Sequence, residues 1–161
     1  MQSERLRIAI EALVLLADEP PDRDATAADS YWLAARLSVR ASVLRRSLAG
    51  LTRAGITGAR PGPGGGFVLR RRAREITLGA VYRAVGPASP FGNTAAPSRR
   101  RDRTVDLTTH VLGEILVGAE AARLAALDQT TLDEILAKVR TARRHEVATA
   151  RRGRRAIGKR A

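Results

Sequence analysis

Six consecutive residues, Pro61-Gly62-Pro63-Gly64-Gly65-Gly66, set the tightest limit on what this chain can build. Glycine and proline alone over such a run form neither a helix nor a central strand; they make a loop or the tip of a hairpin. On either side, Ile56 to Arg60 and Phe67 to Arg70 are each long enough for one short strand. The pattern ahead of the hairpin is helical. Asp29 caps a short helix to about Leu37, with Leu33 and Leu37 on one face, and Ser38-Val39-Arg40 makes a turn. A further helix runs from about Ala41 to Ala54, stopped by Gly55. Two short helices around a tight turn, followed at once by a Gly-rich hairpin, have the layout of a winged helix-turn-helix.

The remaining segments are helical or irregular. Ser3 caps a first helix carrying Leu6, Ala9, Ile10, Leu13 and Leu16, which Pro20-Pro21 ends; Asp22 to Ala28 is a polar loop. Thr77 caps a helix to about Val85, and Gly86 to Arg103 reads as a mobile Pro/Ser/Arg-rich loop. A long amphipathic helix starts near Thr104, with Val111, Leu112, Ile115, Leu116, Ala119, Ala122 and Leu127 available for burial. Thr131-Leu132-Asp133-Glu134 matches the capping box, so a last helix begins near Leu132. With 44% hydrophobic residues but only 3% aromatic, the core must be filled by small aliphatic side chains, which favours packed helices over a large sheet. The expected fold class is therefore mainly α with a small β-hairpin wing.

Charge divides the chain further. The net charge is +13, yet from Ser30 to Arg74 there are ten arginines and no acid. From Thr104 to Ala137 the balance reverses, Arg123 standing alone against Asp106, Glu114, Glu120, Asp128, Asp133 and Glu134. Lys138 to Ala161 is basic again, with Glu146 its one acid. Such blocks suggest separate jobs along one chain, the basic ones suited to a polyanion.

The helix from Ala41 concentrates the signal. At 100° per residue, Leu44, Leu48 and Leu51 fall in one narrow sector and must face the core. Ser42, Arg46, Ala49 and Arg53 fall opposite, with Arg45 on a flank. Small residues let such a helix seat deeply in a major groove, and arginine pairs with guanine edges or phosphates. An ordinary solvated face would interleave Glu with Arg at i,i+4, and none is here. The hairpin tip, lacking bulk, can approach a narrow minor groove, and Arg60 and Arg70 at its base suit flanking phosphates. A nucleotide-binding glycine loop is rejected: it would follow a buried strand, open a helix and carry Gly-Lys-Ser/Thr.

These residues carry a resemblance. Leu33-Ala34-Ala35-Arg36-Leu37, Val43 to Leu48, Leu51-Thr52-Arg53-Ala54-Gly55-Ile56, Gly62 to Leu69 and Ile76-Thr77-Leu78 to Val85 resemble the Rrf-type, BadM-related winged-helix regulators, the IscR-, NsrR- and CymR-like repressors. The similarity runs roughly from Ser3 to Leu136. It implies a homodimer in which the helix from about Thr104 to Leu127 crosses to the partner subunit, with Val111, Leu112, Ile115, Leu116, Ala119 and Ala122 at the interface. It also implies that Arg40, Ser42, Val43 and Arg46, with the wing Gly62, Pro63, Gly64, Gly65 and Gly66, touch a palindromic operator in double-stranded DNA. The expected organisation is a DNA-binding domain over 1–86, a flexible loop over 87–103, dimerisation helices over 104–142 and a disordered basic tail over 143–161.

Two departures stand out. Many relatives hold an iron–sulfur cluster on three cysteines near the start of the long helix, whereas this sequence has no cysteine at all. Thiolate metal sites, disulfides and cysteine nucleophiles are thereby excluded, and a cluster-free branch is implied, with no cofactor. Arg40 occupies the cap of the recognition helix, where Ser or Asn is expected. Trp32 stands where a polar residue is usual and is read as partly buried. Asp106, His110 and Glu114 align four apart, but all project from one helix and are read as a polar stripe rather than a metal site. No catalytic constellation is discernible. Without a leader-like or membrane-spanning segment, the expectation is a soluble cytoplasmic, nucleoid-associated protein that is not an enzyme. An unknown small-molecule effector would act by changing the relative pose of the two wings. The rival readings are a winged helix that binds an acidic protein and a non-specific nucleoid protein driven by the tail.

Overall fold

The computed structural model describes residues 2–18, 28–62, 65–86 and 102–157, the side chains at 2, 3 and 150–157 excepted. The loop expected over 87–103 falls almost wholly outside the described residues, as do Pro63 and Gly64 of the wing and most of the loop after the first helix. Six helices and one hairpin are described: α1 (Gln2–Asp18), α2 (Ser30–Arg36), α3 (Ala41–Arg53), β1 (Thr57–Arg60), β2 (Gly66–Leu69), α4 (Leu78–Val85), α5 (Arg103–Asp128) and α6 (Leu132–Ile157). A single 3-10 turn, Ala73–Glu75, leads from the hairpin into α4.

Local chemistry explains most of these boundaries. Gly55 sits at φ +66, the left-handed conformation that ends a helix cheaply only for glycine, and α3 stops just before it. Thr77 Oγ1 accepts the Ala80 amide at the start of α4. The capping box at α6 forms in both directions: Glu134 N–H donates to Thr131 Oγ1 and Thr131 N–H to Glu134 Oε2, each at 3.3 Å. Asp102 accepts the Thr104 amide at 2.7 Å and opens α5.

One core joins the two ends of the chain. Ile8, Ala9, Ala12 and Leu13 of α1 pack with Leu33 of α2, Leu44, Leu48 and Leu51 of α3, and Val81 and Val85 of α4. Leu132 and Leu136 of α6 are buried in the same cluster. The pattern of the sequence groups α6 with the long helix, but its first turns instead pack against α1 and the 3-10 turn and join this core. α5 is different in kind: none of its residues is buried.

Two expectations are corrected. Over residues 143–157 the expected disordered tail is instead a continuation of α6, helical to Ile157; residues 158–161 lie outside the described residues. Alanine and arginine are among the best helix formers, so like charge alone does not melt a helix nucleated in the core. Asp29 stands at the start of α2 without a side-chain cap bond, so α2 is held by packing of Leu33 and Ala34 rather than by its cap.

Candidate nucleic-acid interface

On α3, Leu44, Ser47, Leu48, Gly50 and Leu51 are buried. Ser42, Val43, Arg45, Arg46, Ala49 and Arg53 are exposed, as is Arg40 at the helix start. The buried hydroxyl is satisfied within the helix, Ser47 Oγ donating to the Val43 carbonyl at 3.3 Å. Gly50 is buried because α4 lies directly against it: a Cβ there would come within 2.3 Å of the Ala84 carbonyl oxygen. That contact fixes how deeply α3 beds into the domain and so how far its opposite face projects.

The two ends of α3 are finished differently. At its start Arg40 is extended (φ −69, ψ 136) and makes no side-chain cap. At its end Arg71, from the far side of the hairpin, donates through Nη2 to the Ala54 carbonyl at 2.9 Å and through Nε to the Gly55 carbonyl at 3.2 Å. A guanidinium there satisfies otherwise orphaned carbonyls and complements the negative end of the helix dipole. Arg71 therefore ties the wing to α3. Sequence reasoning missed it, since a cap supplied from 17 residues away has no local signature. Arg45 is also steered from outside its helix, its guanidinium carbon lying 5.9 Å from the ring centroid of exposed Tyr31. Trp32 is half-buried against the core with Arg36 across its ring, in line with the sequence reading.

The wing is a two-stranded antiparallel hairpin pairing Thr57 with Leu69 and Arg60 with Gly66. Its outer edge is clamped. Ala28, just ahead of α2, exchanges backbone hydrogen bonds with Phe67 at 2.8 and 2.9 Å. Gly66 is required there, because a Cβ would sit 2.3 Å from the Ala28 carbonyl oxygen. Gly62 adopts φ +96 at the tip, and Gly65 donates back to its carbonyl at 2.9 Å. Arg60 and Arg70 are both exposed, but only Arg70 lies at the hairpin base; Arg60, expected there, stands at the tip end opposite Gly66. Arg70 lies across Gly58, where a Cβ would meet its Nε at 2.2 Å. The described candidate DNA-contacting residues thus gather on α3 and the adjoining wing, held together by Arg71 and Ala28.

The candidate dimer residues lie along α5. Val111, Leu112 and Ile115 are half or more exposed, Ala119 and Ala122 are exposed, and Leu116 is half-buried. Val105, Leu107 and Val117 are exposed too and were not singled out from the sequence. On the same helix His110 Nε2 lies 3.5 Å from Glu114 Oε1, with both side chains largely in solvent. Among the described residues no three His, Cys, Asp or Glu converge as metal ligands.

α5 is joined to the DNA-binding part by a polar seam. Asp128 at its end accepts a bidentate pair from Arg83 of α4 at 2.8 and 2.9 Å, and a hydrogen bond from Thr77 Oγ1 at 2.9 Å. The Arg83 bonds, with help from Thr77, hold the Asp128 carboxyl below the usual carboxylate range, and Asp128 in turn raises Arg83. Gly79 makes room for that carboxylate, since a Cβ would fall 2.1 Å from Asp128 Oδ1. Backbone bonds Leu78 N–H to Thr130 O and Leu132 N–H to Ile76 O close the seam at 2.9 and 2.8 Å. Arg123 donates to the Tyr82 hydroxyl and to Glu120, its guanidinium carbon 4.3 Å from the Tyr82 ring centroid.

With this geometry in view, comparison with known proteins is decisive. Residues 2–138 match the Rrf2 family, described as an iron-dependent transcriptional regulator. The chain belongs to the Rrf2 family. A relative in Bacillus subtilis (strain 168), named "Putative HTH-type transcriptional regulator YwgB", is 36% identical over 77 residues, 48% of this chain. That match spans 47% of YwgB, about half of its length. The fold is also that of a crystallised Lactobacillus plantarum protein described as a "putative transcriptional regulator" (TM-score 0.71, 19% identity, covering 92% of this chain and 99% of that one). It is shared by T. potens IscR as well (TM-score 0.58, 22% identity, covering 86% and 87%). Winged-helix architecture and an Rrf2-type place in transcriptional regulation follow. For a cysteine-held cluster this Rrf2 chain has the wrong donor set: it contains no thiolate ligand anywhere in its sequence. Nor do Asp106, His110 and Glu114 gather into one site.

Proposed function

We propose that this Rrf2-family chain binds operator DNA sequence-specifically as a homodimer and acts as a repressor by occupying that operator. The observation that supports it most is the outward face of α3. Ser42, Arg45, Arg46 and Arg53 are exposed beside a glycine-tipped wing, in a 45-residue stretch that contains no acid. Arg46 and Ser42 read base edges in the major groove, Arg40, Arg45, Arg53, Arg60 and Arg70 hold phosphates, and the backbone of Gly62–Gly66 follows the minor groove.

The homodimer is supported by α5. A 26-residue helix rich in Val, Leu and Ile, none of them buried, exposes apolar surface that a lone chain does not leave in water. A second copy crossing along Val111, Leu112, Ile115, Ala119 and Ala122 covers it. A two-fold dimer places its recognition helices in major grooves about 34–36 Å apart, which calls for a palindromic site. The regulator works in the cytoplasm without a cysteine-ligated cluster, so its input is a small-molecule effector or simple occupancy.

Selection of bound fragments from fragmented bacterial genomic DNA tests this reading. A palindromic motif with half-sites one helical turn apart is the expected result. Uniform recovery regardless of sequence would leave only a non-specific nucleoid protein, and no recovery would leave a protein-interaction module.

A further inference from the structure

α6 outruns the family it belongs to. The Rrf2 match ends at residue 138, yet the helix continues to Ile157. Its last part contains Arg140, Arg143, Arg144, Arg151, Arg152, Arg154 and Arg155 against one acid, Glu146. At 100° per residue these are not spread around the helix: positions 140, 143, 144, 151, 154 and 155 share an arc of about 120°, with Glu146 outside it. The stripe extends about 22 Å along the axis at 1.5 Å per residue.

The base of the stripe is engaged within the chain. Arg140 Nε lies 2.6 Å from Asp18 Oδ1 and Arg143 Nη1 lies 3.4 Å from Asp18 Oδ2, where α1 ends. Those two ion pairs set the direction in which α6 leaves the core. Beyond them α1 has run out, and residues 141–149 are all exposed. From position 144 onward the arc holds arginine and Val147.

We infer that this overhanging arginine stripe is a second nucleic-acid contact, which docks on the phosphate backbone of duplex DNA outside the segment read by α3 and the wing. It rests on the DNA-binding reading above and adds a sequence-independent contact to it. Charge complementarity supports a polyanion, and the spacing of arginines along one face of a continuous helix suits a row of phosphates. A membrane surface fits poorly, because from position 140 the helix carries no Leu, Phe or Trp to enter an interface.

The test uses the full chain with Arg144, Arg151, Arg154 and Arg155 all changed to Gln, leaving the pairs on Asp18 in place. Affinity for a 40-base-pair duplex of scrambled sequence is measured by fluorescence anisotropy across a salt series. The slope of log affinity against log salt should flatten by roughly 3–4 units, at about 0.9 per phosphate contact. The same four positions changed to Lys should restore the slope, since a phosphate contact needs charge rather than a guanidinium fork. An unchanged slope with the Gln variant folded overturns the inference, as does a Lys variant that behaves like Gln. A lowered Tm with an unchanged slope would assign the stripe to internal pairing, for which Glu19, Asp22 and Asp24 supply acids in sequence. Poly-glutamate competing as well as the duplex would assign it to an acidic protein. Failure of the underlying reading is separable: Arg46→Ala would then leave duplex selectivity untouched while the stripe variant abolished all binding.

Discussion

α3 and α5 are both helices with a strong apolar complement, and the molecule treats them in opposite ways. α3 buries five of its 13 residues and turns its arginines outward, so it is complete within one chain and presents a polar surface. α5 is twice as long, buries nothing, and leaves Val105, Val111, Leu112 and Ile115 about half exposed or more. One helix is finished by its own domain and the other waits for something outside it. A helix satisfied from within can afford a face chosen for recognition, whereas one that is unsatisfied must first find cover.

The largest effect that sharpens this contrast pairs one residue from each helix. Leu48→Ala should cost about 2–5 kcal/mol of folding stability, measured by denaturant unfolding, because it empties a fully packed site. Ile115→Glu should leave the helical circular dichroism intact but convert the proposed dimer to monomer in sedimentation. If Ile115→Glu unfolds the chain, or leaves its mass unchanged, the contrast fails.

A smaller effect probes why α3 is complete. Gly50→Ala should destabilise by about 1–3 kcal/mol despite the better helix propensity of alanine. The obstacle is the Ala84 carbonyl, backbone that cannot swing aside. A stabilised Gly50→Ala protein would mean that α3 and α4 are less tightly apposed than described.

At the recognition face the expected loss is one of selectivity, not stability. Arg46→Ala should reduce discrimination between operator and random DNA by about 1–3 kcal/mol, the worth of one bidentate base contact. Equal weakening on both DNAs would make Arg46 a phosphate contact only.

The smallest effect concerns the seam between the two regions. The folded Asp128 carboxyl titrates below its unfolded value, so its contribution is fully present above about pH 4 and is lost as pH falls through the lowered value. Wild-type Tm should therefore drop more steeply between pH 5 and pH 3 than that of Asp128→Asn, with the two curves running parallel at neutral pH. Parallel curves throughout would mean the seam adds nothing.

What could be read beforehand follows from how local each cause is. The helix-turn-helix, the wing and the start of α6 depend on neighbouring residues: Leu44, Leu48 and Leu51 at helical spacing, Gly55 just past a helix end, Thr131 and Glu134 three apart. Each leaves its mark in a window of a few residues. Arg71 on the end of α3, Ala28 on the edge of β2, and Gly79 beneath Asp128 are contacts between distant segments, and their residue types look ordinary in sequence. The continuation of α6 is hidden in the sequence for another reason. Its like charge argues for disorder, while its alanines and arginines argue for helix, and the anchored start of α6 tips that balance.

The Gly79–Asp128 contact has a consequence for anyone recombining such proteins. The boundary expected at residue 86 looks like a natural place to exchange the C-terminal part for that of a relative. Yet Asp128 has a seat only where position 79 lacks a side chain and where Thr77 and Arg83 receive it. A donor half with a bulkier residue in place of Asp128, or a recipient with alanine at 79, would join two sound pieces that do not mate. A working chimaera must therefore carry Thr77, Gly79, Arg83 and Asp128 across together, so the unit of exchange crosses the junction that the order of elements suggests.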